Sequence, residues 1–122
     1  MKNMIVIILV AGIVLGLGVA AYIGFSKPGK YDQFVTCLSD SEVLMYGAFW
    51  CGHCEEQKKL FGKSAMYLPY VECSTPDRKQ TQICKDENIQ SYPVWQFKGN
   101  EKQNGFMTLD QLATKSGCAL PP

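Results

Sequence analysis

The sequence has almost no histidine and no surplus of either charge. Its single histidine is His53, and its formal net charge is +1 at pH 7. Lys2 is the only one of the 12 lysine and arginine residues that precedes residue 26, so the other 11 balance 11 acidic residues. The sequence also lacks basic blocks, alternating basic and aromatic residues, internal repeats and low-complexity segments. Nucleic acid is therefore not an expected partner.

Charge is missing altogether from residues 4–25. A helix of that length spans roughly 33 Å, enough to cross the hydrocarbon core of a bilayer. We interpret residues 1–25 as a membrane anchor. A cleaved signal is the alternative, because Gly18, Val19 and Ala20 are small residues at the spacing that signal peptidase favours. Residues 26–30 are then a linker and residues 31–122 one domain. Both readings export that domain, and the anchor makes the chain a single-pass protein of the cell membrane with its domain extracytoplasmic (periplasmic or at the cell surface).

The most specific motif is Cys51-Gly52-His53-Cys54, which directly follows the apolar residues 43–50. Two cysteines separated by two residues can close a small disulfide, and a helix that begins at the first of them lowers the pKa of its thiol through the helix dipole. Gly52 and His53 tune the redox equilibrium, since a side chain that favours the Cys51 thiolate makes the disulfide more oxidising. The motif predicts thiol–disulfide exchange without a cofactor.

Two further functions compete with this prediction. Cys51, His53 and Cys54 are also soft ligands that suit zinc or copper(I). Cys73 and Cys84 are the candidates for a fourth ligand, although the sequence has no second pair of cysteines at this spacing. The third hypothesis is a non-catalytic binding domain.

The pattern of apolar and turn-forming residues predicts an α/β domain. Thr75, Pro76 and Asp77 favour a helix start, and residues 55–59 are expected on the solvent side of their helix. The predicted elements are helix 31–38, strand 43–49, helix 54–61, strand 70–73, helix 75–87, strand 94–97, strand 102–106 and helix 109–115.

The run FWCGHC after an apolar strand, with Tyr92-Pro93 later before another strand, resembles the thioredoxin superfamily. More narrowly, YGAFWCGHCEEQKKLFGKSAMYLPYVECSTPD with QICK and IQSYPVWQF is similar to the thioredoxin-like domain that is fused to, or partners, bacterial homologues of vitamin K epoxide reductase. The resemblance covers about residues 31–118. It implies a thioredoxin-like fold, a central mixed sheet flanked by helices, with or without its first strand.

The resemblance also implies roles for individual residues. Cys51 matches the exposed, attacking cysteine, and Cys54 matches the buried cysteine that resolves a mixed disulfide. Pro93 matches a cis-proline that faces the disulfide. The backbone of Tyr92 would pair with an extended substrate segment, and Trp50 matches an aromatic residue beside the site.

The partners that follow are client proteins with thiols or disulfides and a quinone-linked membrane oxidase of the vitamin K epoxide reductase type. We expect an oxidase or isomerase, with a thiol reductase of the same fold as the alternative. One departure concerns Met45, which stands where thioredoxins carry a buried acid that helps to deprotonate the second cysteine. Glu42 and Glu55 are candidate substitutes.

The remaining four cysteines suit disulfides in a small exported domain. A bond between Cys73 and Cys84 would contribute about 3 kcal/mol in the chain-entropy model, and it is either a structural staple or a redox relay to the motif. A bond between Cys37 and Cys118 would join the first helix of the domain to its tail, whereas a free thiol at Cys118 is the competing interpretation.

Overall fold

The computed structural model describes residues 1–25 and 27–122 of the chain. Ser26, the first residue of the predicted linker 26–30, lies outside the described residues. The elements, in chain order, are α1 Lys2–Phe25, α2 Asp32–Asp40, β1 Leu44–Gly47, α3 Gly52–Lys59, a 3₁₀ helix Gly62–Tyr67, β2 Tyr70–Glu72, α4 Gln82–Asp86, β3 Val94–Phe97, a 3₁₀ turn Lys98–Asn100, β4 Glu101–Asn104 and α5 Leu109–Ser116.

The strands form one mixed sheet in the order β2-β1-β3-β4. β1 pairs in parallel with β2, across the α3 crossover, and antiparallel with β3. β3 returns through the turn at Gly99, whose φ is 77°, to pair antiparallel with β4. The predicted α/β fold class, a central mixed sheet flanked by helices, is confirmed. Within the described residues the sheet contains no strand before β1.

Alternate residues of the central strands supply two separate cores. Met45 and Trp95, both fully buried, face the cluster that includes Phe34 and Leu112 from α2 and α5. The next residue of β1, Tyr46, faces the other cluster, which contains Cys73, the residue after β2, and Cys84 of α4. This period of two is that of a strand. It explains why residues 43–49 read as a continuous apolar run, because both faces of the strand are covered.

The predicted helix over 75–87 is wrong in its first half. Thr75 and Lys79 instead close a loop through two hydrogen bonds: Thr75 N donates to Lys79 O at 2.9 Å, and Lys79 N donates to Thr75 Oγ1 at 3.0 Å. Arg78, inside the loop, has a φ of 61°. The threonine side chain binds the backbone locally and so competes with the helix it was expected to cap. The helix that remains, α4, holds Cys84 as predicted.

The solvent-facing position predicted for Gln57 is also wrong, because Gln57 is fully buried. Its Nε2 donates to Met107 O at 2.8 Å, and its Oε1 accepts from Met107 N at 2.8 Å and from Trp95 Nε1 at 3.3 Å. The loop before α5 covers this face of α3. The Gln57 amide therefore supplies the hydrogen bonds that water would otherwise make to two backbone groups and one indole. These bonds also hold α3 against the core.

The N-terminal helix α1 is long and apolar enough to cross a membrane: its span Lys2–Gly24 contains an 18-residue stretch with a mean hydropathy of 2.9, and no residue of that stretch is buried. A signal sequence near an N-terminus meets the same criterion. Lys63, on the 3₁₀ helix, donates through Nζ to Gly24 O at 3.1 Å. The division into residues 1–25, 26–30 and 31–122 stays a prediction.

Candidate active site

The motif cysteines lie at the start of α3, which follows the carboxyl end of the central strand β1. Cys51 is the N-cap residue, with extended backbone (φ −84°, ψ 111°), and its Sγ accepts a hydrogen bond from Cys54 N at 3.2 Å. Cys51 O accepts from the backbone N–H groups of Cys54 and Glu55. The Cys51 sulfur therefore occupies the positive end of the helix dipole, as the sequence predicts, where a thiolate is stabilised.

The two sulfurs differ in their access to solvent. Cys51 and Cys54 are paired in a disulfide with a Cα–Cα distance of 5.3 Å. Cys51 is 7% exposed and Cys54 is fully buried. Cys51 is thus the more accessible of the pair, although as a disulfide it is less exposed than the expected attacking cysteine. An incoming thiolate can reach only this sulfur without moving the core.

The two residues inside the motif are exposed. Gly52 has open space where a Cβ would stand. The imidazole Nδ1 of His53 lies 3.4 Å from Glu56 Oε2, one turn along α3. The described polar partner of His53 is thus a carboxylate and not the Cys51 sulfur. Its tuning role stays a prediction.

Trp50 directly precedes the motif, and Tyr92 lies beside Trp50. The rings of Trp50 and Tyr92 meet edge to face, with centroids 5.8 Å apart. Trp50 Nε1 donates to Ser74 Oγ at 2.8 Å, which holds a side chain that remains 45% exposed. The Tyr92–Pro93 peptide bond is cis, as the resemblance implies, and Pro93 is buried.

A groove of about 340 Å³ opens beside these aromatic residues. Trp50 and Tyr92 line one part of it, and Arg78, Lys79 and Gln90 line the rest. Phe49, one residue before Trp50, is 49% exposed, although an apolar residue at the end of a buried strand suggests a core position. The sequence pattern gave no sign of this exposure.

The other four cysteines form two more disulfides. Cys37 bonds Cys118 and Cys73 bonds Cys84, so the cysteines of the described residues are all paired. Cys73 and Cys84 are fully buried in the second core. Burial keeps an approaching thiolate away from this bond, which favours the structural staple over the relay.

The position of the missing acid is apolar in the structure as well. Met45 is fully buried in the first core. Glu42 and Glu55, the candidate substitutes, are both exposed. Tyr70 of β2, which the sequence did not single out, lies across Gly47 from the buried Cys54 sulfur, and its Oη donates a hydrogen bond to Glu72 of the same strand. The sequence signal for this pair is the spacing of Tyr70 and Glu72 by two residues, which places both side chains on the same face of a strand.

The metal-binding alternative gains no support from this arrangement. Within residues 1–25 and 27–122 there is no group of three or more histidine, cysteine, aspartate or glutamate side chains that could hold an ion. Cys73 and Cys84, the candidates for a fourth ligand, are bonded to each other.

Comparison with known proteins shows a similarity to a plant oxidoreductase. Thiol-disulfide oxidoreductase LTO1 of Arabidopsis thaliana is 46% identical over an 89-residue alignment, and the alignment covers 68% of this chain. The matched region is 23% of the relative, so the chain spans about a quarter of that protein's length. No protein-family model matches the chain.

Proposed function

We propose that the chain is a membrane-tethered thiol–disulfide oxidoreductase with a thioredoxin-like domain. The observation that carries the proposal is the pairing of two unequal sulfurs at one helix N-terminus. Cys51 is the more accessible residue of the motif disulfide, 7% exposed, and Cys54 is fully buried in the core. The relative that is named a thiol-disulfide oxidoreductase supports the same chemistry.

Oxidation of a client proceeds by two thiol–disulfide exchanges, and both involve the Cys51 sulfur. A client thiolate attacks Cys51 Sγ, the Cys51–Cys54 bond breaks, and its electron pair leaves on Cys54, which takes up a proton. A second client thiolate then attacks the client sulfur of the mixed disulfide and displaces Cys51 as a thiolate. The client gains one disulfide, and the motif gains two electrons. Reduction of a client is the reverse sequence.

We assign the client-binding surface to Trp50, Tyr92 and Pro93. The exposed indole of Trp50 borders the motif, and its contact with Tyr92 forms one wall of the adjacent groove. Backbone groups next to Pro93 would pair with an extended client segment, because strand addition uses main-chain hydrogen bonds and tolerates many side chains. Such binding suits a protein with many clients.

The proposed direction is oxidation or isomerisation. A thiolate at Cys51 is stabilised by the N-terminus of α3, which favours the reduced motif and makes the disulfide a better oxidant. Reoxidation then requires an electron acceptor, and the proposed one is a quinone-linked membrane oxidase of the vitamin K epoxide reductase type. The support for this partner is the sequence resemblance together with a helix, α1, that can keep the domain at the membrane.

The proposed location of the domain is the extracytoplasmic side. Two further disulfides, the partly buried Cys37–Cys118 and the fully buried Cys73–Cys84, accompany the motif in one small domain. Bonds of this kind form and persist in oxidising compartments and are rare in the cytosol.

The test uses the full chain in detergent micelles with a reduced, unfolded disulfide protein as the client. Cys51→Ala should abolish client oxidation, because it removes the attacked sulfur. Cys54→Ala should accumulate client mixed disulfides that a thiol reductant dissolves on a non-reducing gel. Tyr67→Phe is the control, because this exposed residue lies outside the motif and its replacement should retain activity. A Cys51→Ala chain that still oxidises the client would contradict the proposal and favour a non-catalytic binding domain.

A further inference from the structure

Each half of the exchange cycle moves one proton onto or off the Cys54 sulfur. Cys54 is fully buried, so water reaches it poorly and a buried thiolate is costly. Met45, at the position of the usual acid, has no proton to exchange. The chain therefore needs another path between Cys54 and solvent.

Tyr70 reaches this sulfur across the one glycine in β1. A Cβ on Gly47 would stand 3.0 Å from Cys54 Sγ, 3.1 Å from Tyr70 Oη and 2.8 Å from the Tyr70 ring. The Cys54 sulfur and the Tyr70 phenol oxygen are therefore no more than about 6 Å apart. A single bridging water can span this separation, and a small rotation of the Tyr70 side chain would bring the two atoms into direct contact. A larger residue at position 47 would fill this space.

Glu72 completes the path to the surface. Tyr70 Oη donates to Glu72 Oε2 at 2.9 Å. The other carboxylate oxygen, Oε1, accepts from Phe49 N at 3.2 Å and from Ser74 N at 2.9 Å. The carboxylate is thus held in place by two backbone groups and is partly exposed, so it can pass a proton to solvent.

We propose that Tyr70 and Glu72 form a proton relay that serves Cys54 in place of the missing acid, an inference that rests on the proposed function. In the resolving step, the Cys54 thiol passes its proton to Tyr70 Oη as the phenol passes its own proton to Glu72. The Cys54 thiolate then attacks Cys51 Sγ, and the bond between Cys51 and its partner breaks with the electron pair on the partner sulfur. Glu72 releases the proton to solvent. The reverse path protonates Cys54 when it leaves.

The charged groups around Tyr70 suit this role. Lys58 on α3 places Nζ 3.8 Å from the Tyr70 ring centroid and 3.9 Å from Glu55 Oε1. Burial, then the hydrogen bond and charge of Glu72, then the charges of Glu55 and Tyr92, raise the pKa of Tyr70 well above its usual value. The phenol therefore stays protonated before and after the step, and it acts by accepting one proton as it donates another.

The experiment follows the resolving step directly in the full chain in detergent. The reduced motif is mixed with dithiobis(nitrobenzoate) in a stopped-flow instrument, and the second release of thionitrobenzoate reports attack by Cys54 on the mixed disulfide. At about pH 6.5, two units below the usual thiol pKa of about 8.5, Tyr70→Phe should slow this step by about 10²-fold, the lower end of general acid–base effects. The difference should shrink to about threefold above about pH 9.5, where the thiol ionises without help.

Glu72→Gln supplies the second variant. The glutamine Oε1 can still accept from Phe49 N and Ser74 N, so the loop keeps its bonds while the proton acceptor beside Tyr70 is lost. It should show the same pH-dependent loss. Tyr67→Phe and Glu42→Gln are the matched controls, because both residues are exposed and lie outside the motif.

The outcomes separate the relay from the proposed function. Rates for Tyr70→Phe and Glu72→Gln within about twofold of wild type at every pH, or a loss by the same factor at every pH, would overturn the relay, since only proton transfer depends on the ionisation of Cys54. A wild-type chain that never releases the second thionitrobenzoate would contradict the proposed function, and the relay would fall with it.

Discussion

Replacement of the buried amide Gln57 with leucine should destabilise the domain more than any change on the exposed face of α3. Leucine leaves three groups without partners: the N–H and C=O of Met107 and the indole N–H of Trp95. An unsatisfied buried group costs about 1–3 kcal/mol. The 3.3 Å indole bond is the weakest of the three, and the new apolar side chain recovers part of the loss, so we expect a net cost of about 3 kcal/mol.

The assay is equilibrium unfolding of the oxidised chain in denaturant, checked by thermal melting. For a domain of this size, about 3 kcal/mol corresponds to a fall in Tm of roughly 15 °C. Gln33→Leu on α2 is the control, because this glutamine is exposed and should change the free energy of unfolding by less than about 0.5 kcal/mol.

A charge at the same site gives a sharper check. Gln57→Glu keeps the acceptor for Met107 N but directs a carboxylate oxygen at Met107 O. A protonated carboxyl can donate to that carbonyl, so folding should raise the pKa of the introduced acid above its unfolded value of about 4.3. The loss in free energy of unfolding relative to wild type should be small below about pH 4 and should grow as the pH rises. A leucine variant as stable as wild type, or a glutamate deficit independent of pH, would refute the assigned hydrogen bonds.

Three further predictions concern the site and the disulfides. Gly47→Ala should lower the free energy of unfolding by about 1–3 kcal/mol, because the new Cβ would stand 2.8 Å from the Tyr70 ring; denaturant unfolding measures this, and an unchanged midpoint contradicts the close packing. Loss of Cys37–Cys118, which are 81 residues apart, should cost about 4–5 kcal/mol in the chain-entropy model, and a shift in the midpoint below 1 kcal/mol would argue against the bond. Burial raises the pKa of Tyr46 and Tyr70 above the usual tyrosine value of about 10 in the folded state. The stability that is present below about pH 10 should therefore decline at higher pH, and a phenolate absorbance titration in which both rings ionise at about pH 10 would contradict this.

Much of the fold follows from local signals in the sequence. The strand β1 is covered on both faces and so reads as an apolar run, and Thr108 caps α5 through a reciprocal bond with Gln111. Gly117 ends that helix with a φ of 76°. These elements are specified by residues close in sequence, which is why the predictions agree with the structure.

The errors come from contacts between residues distant in sequence. Gln57 is polar, so the pattern alone places it in solvent; its partners, Trp95 and Met107, come from β3 and the loop before α5. Tyr70 and Glu72 read as ordinary strand residues, because only the parallel pairing of β1 with β2 brings them next to the motif. The sequence pointed to the pair that forms the Cys51–Cys54 disulfide, but not to the groups that surround the buried Cys54.

The reduction potential of the Cys51–Cys54 couple tests the central claim most directly. The full chain in micelles is equilibrated with glutathione redox buffers, and the fraction oxidised is read by alkylation and mass shift, with Cys51→Ala as the blank. We predict a reversible two-electron couple with a potential above that of thioredoxin, about −270 mV, because the N-terminus of α3 stabilises the Cys51 thiolate. A value at or below that of thioredoxin would contradict the oxidising assignment, and the absence of a reversible couple would contradict thiol–disulfide exchange at this site.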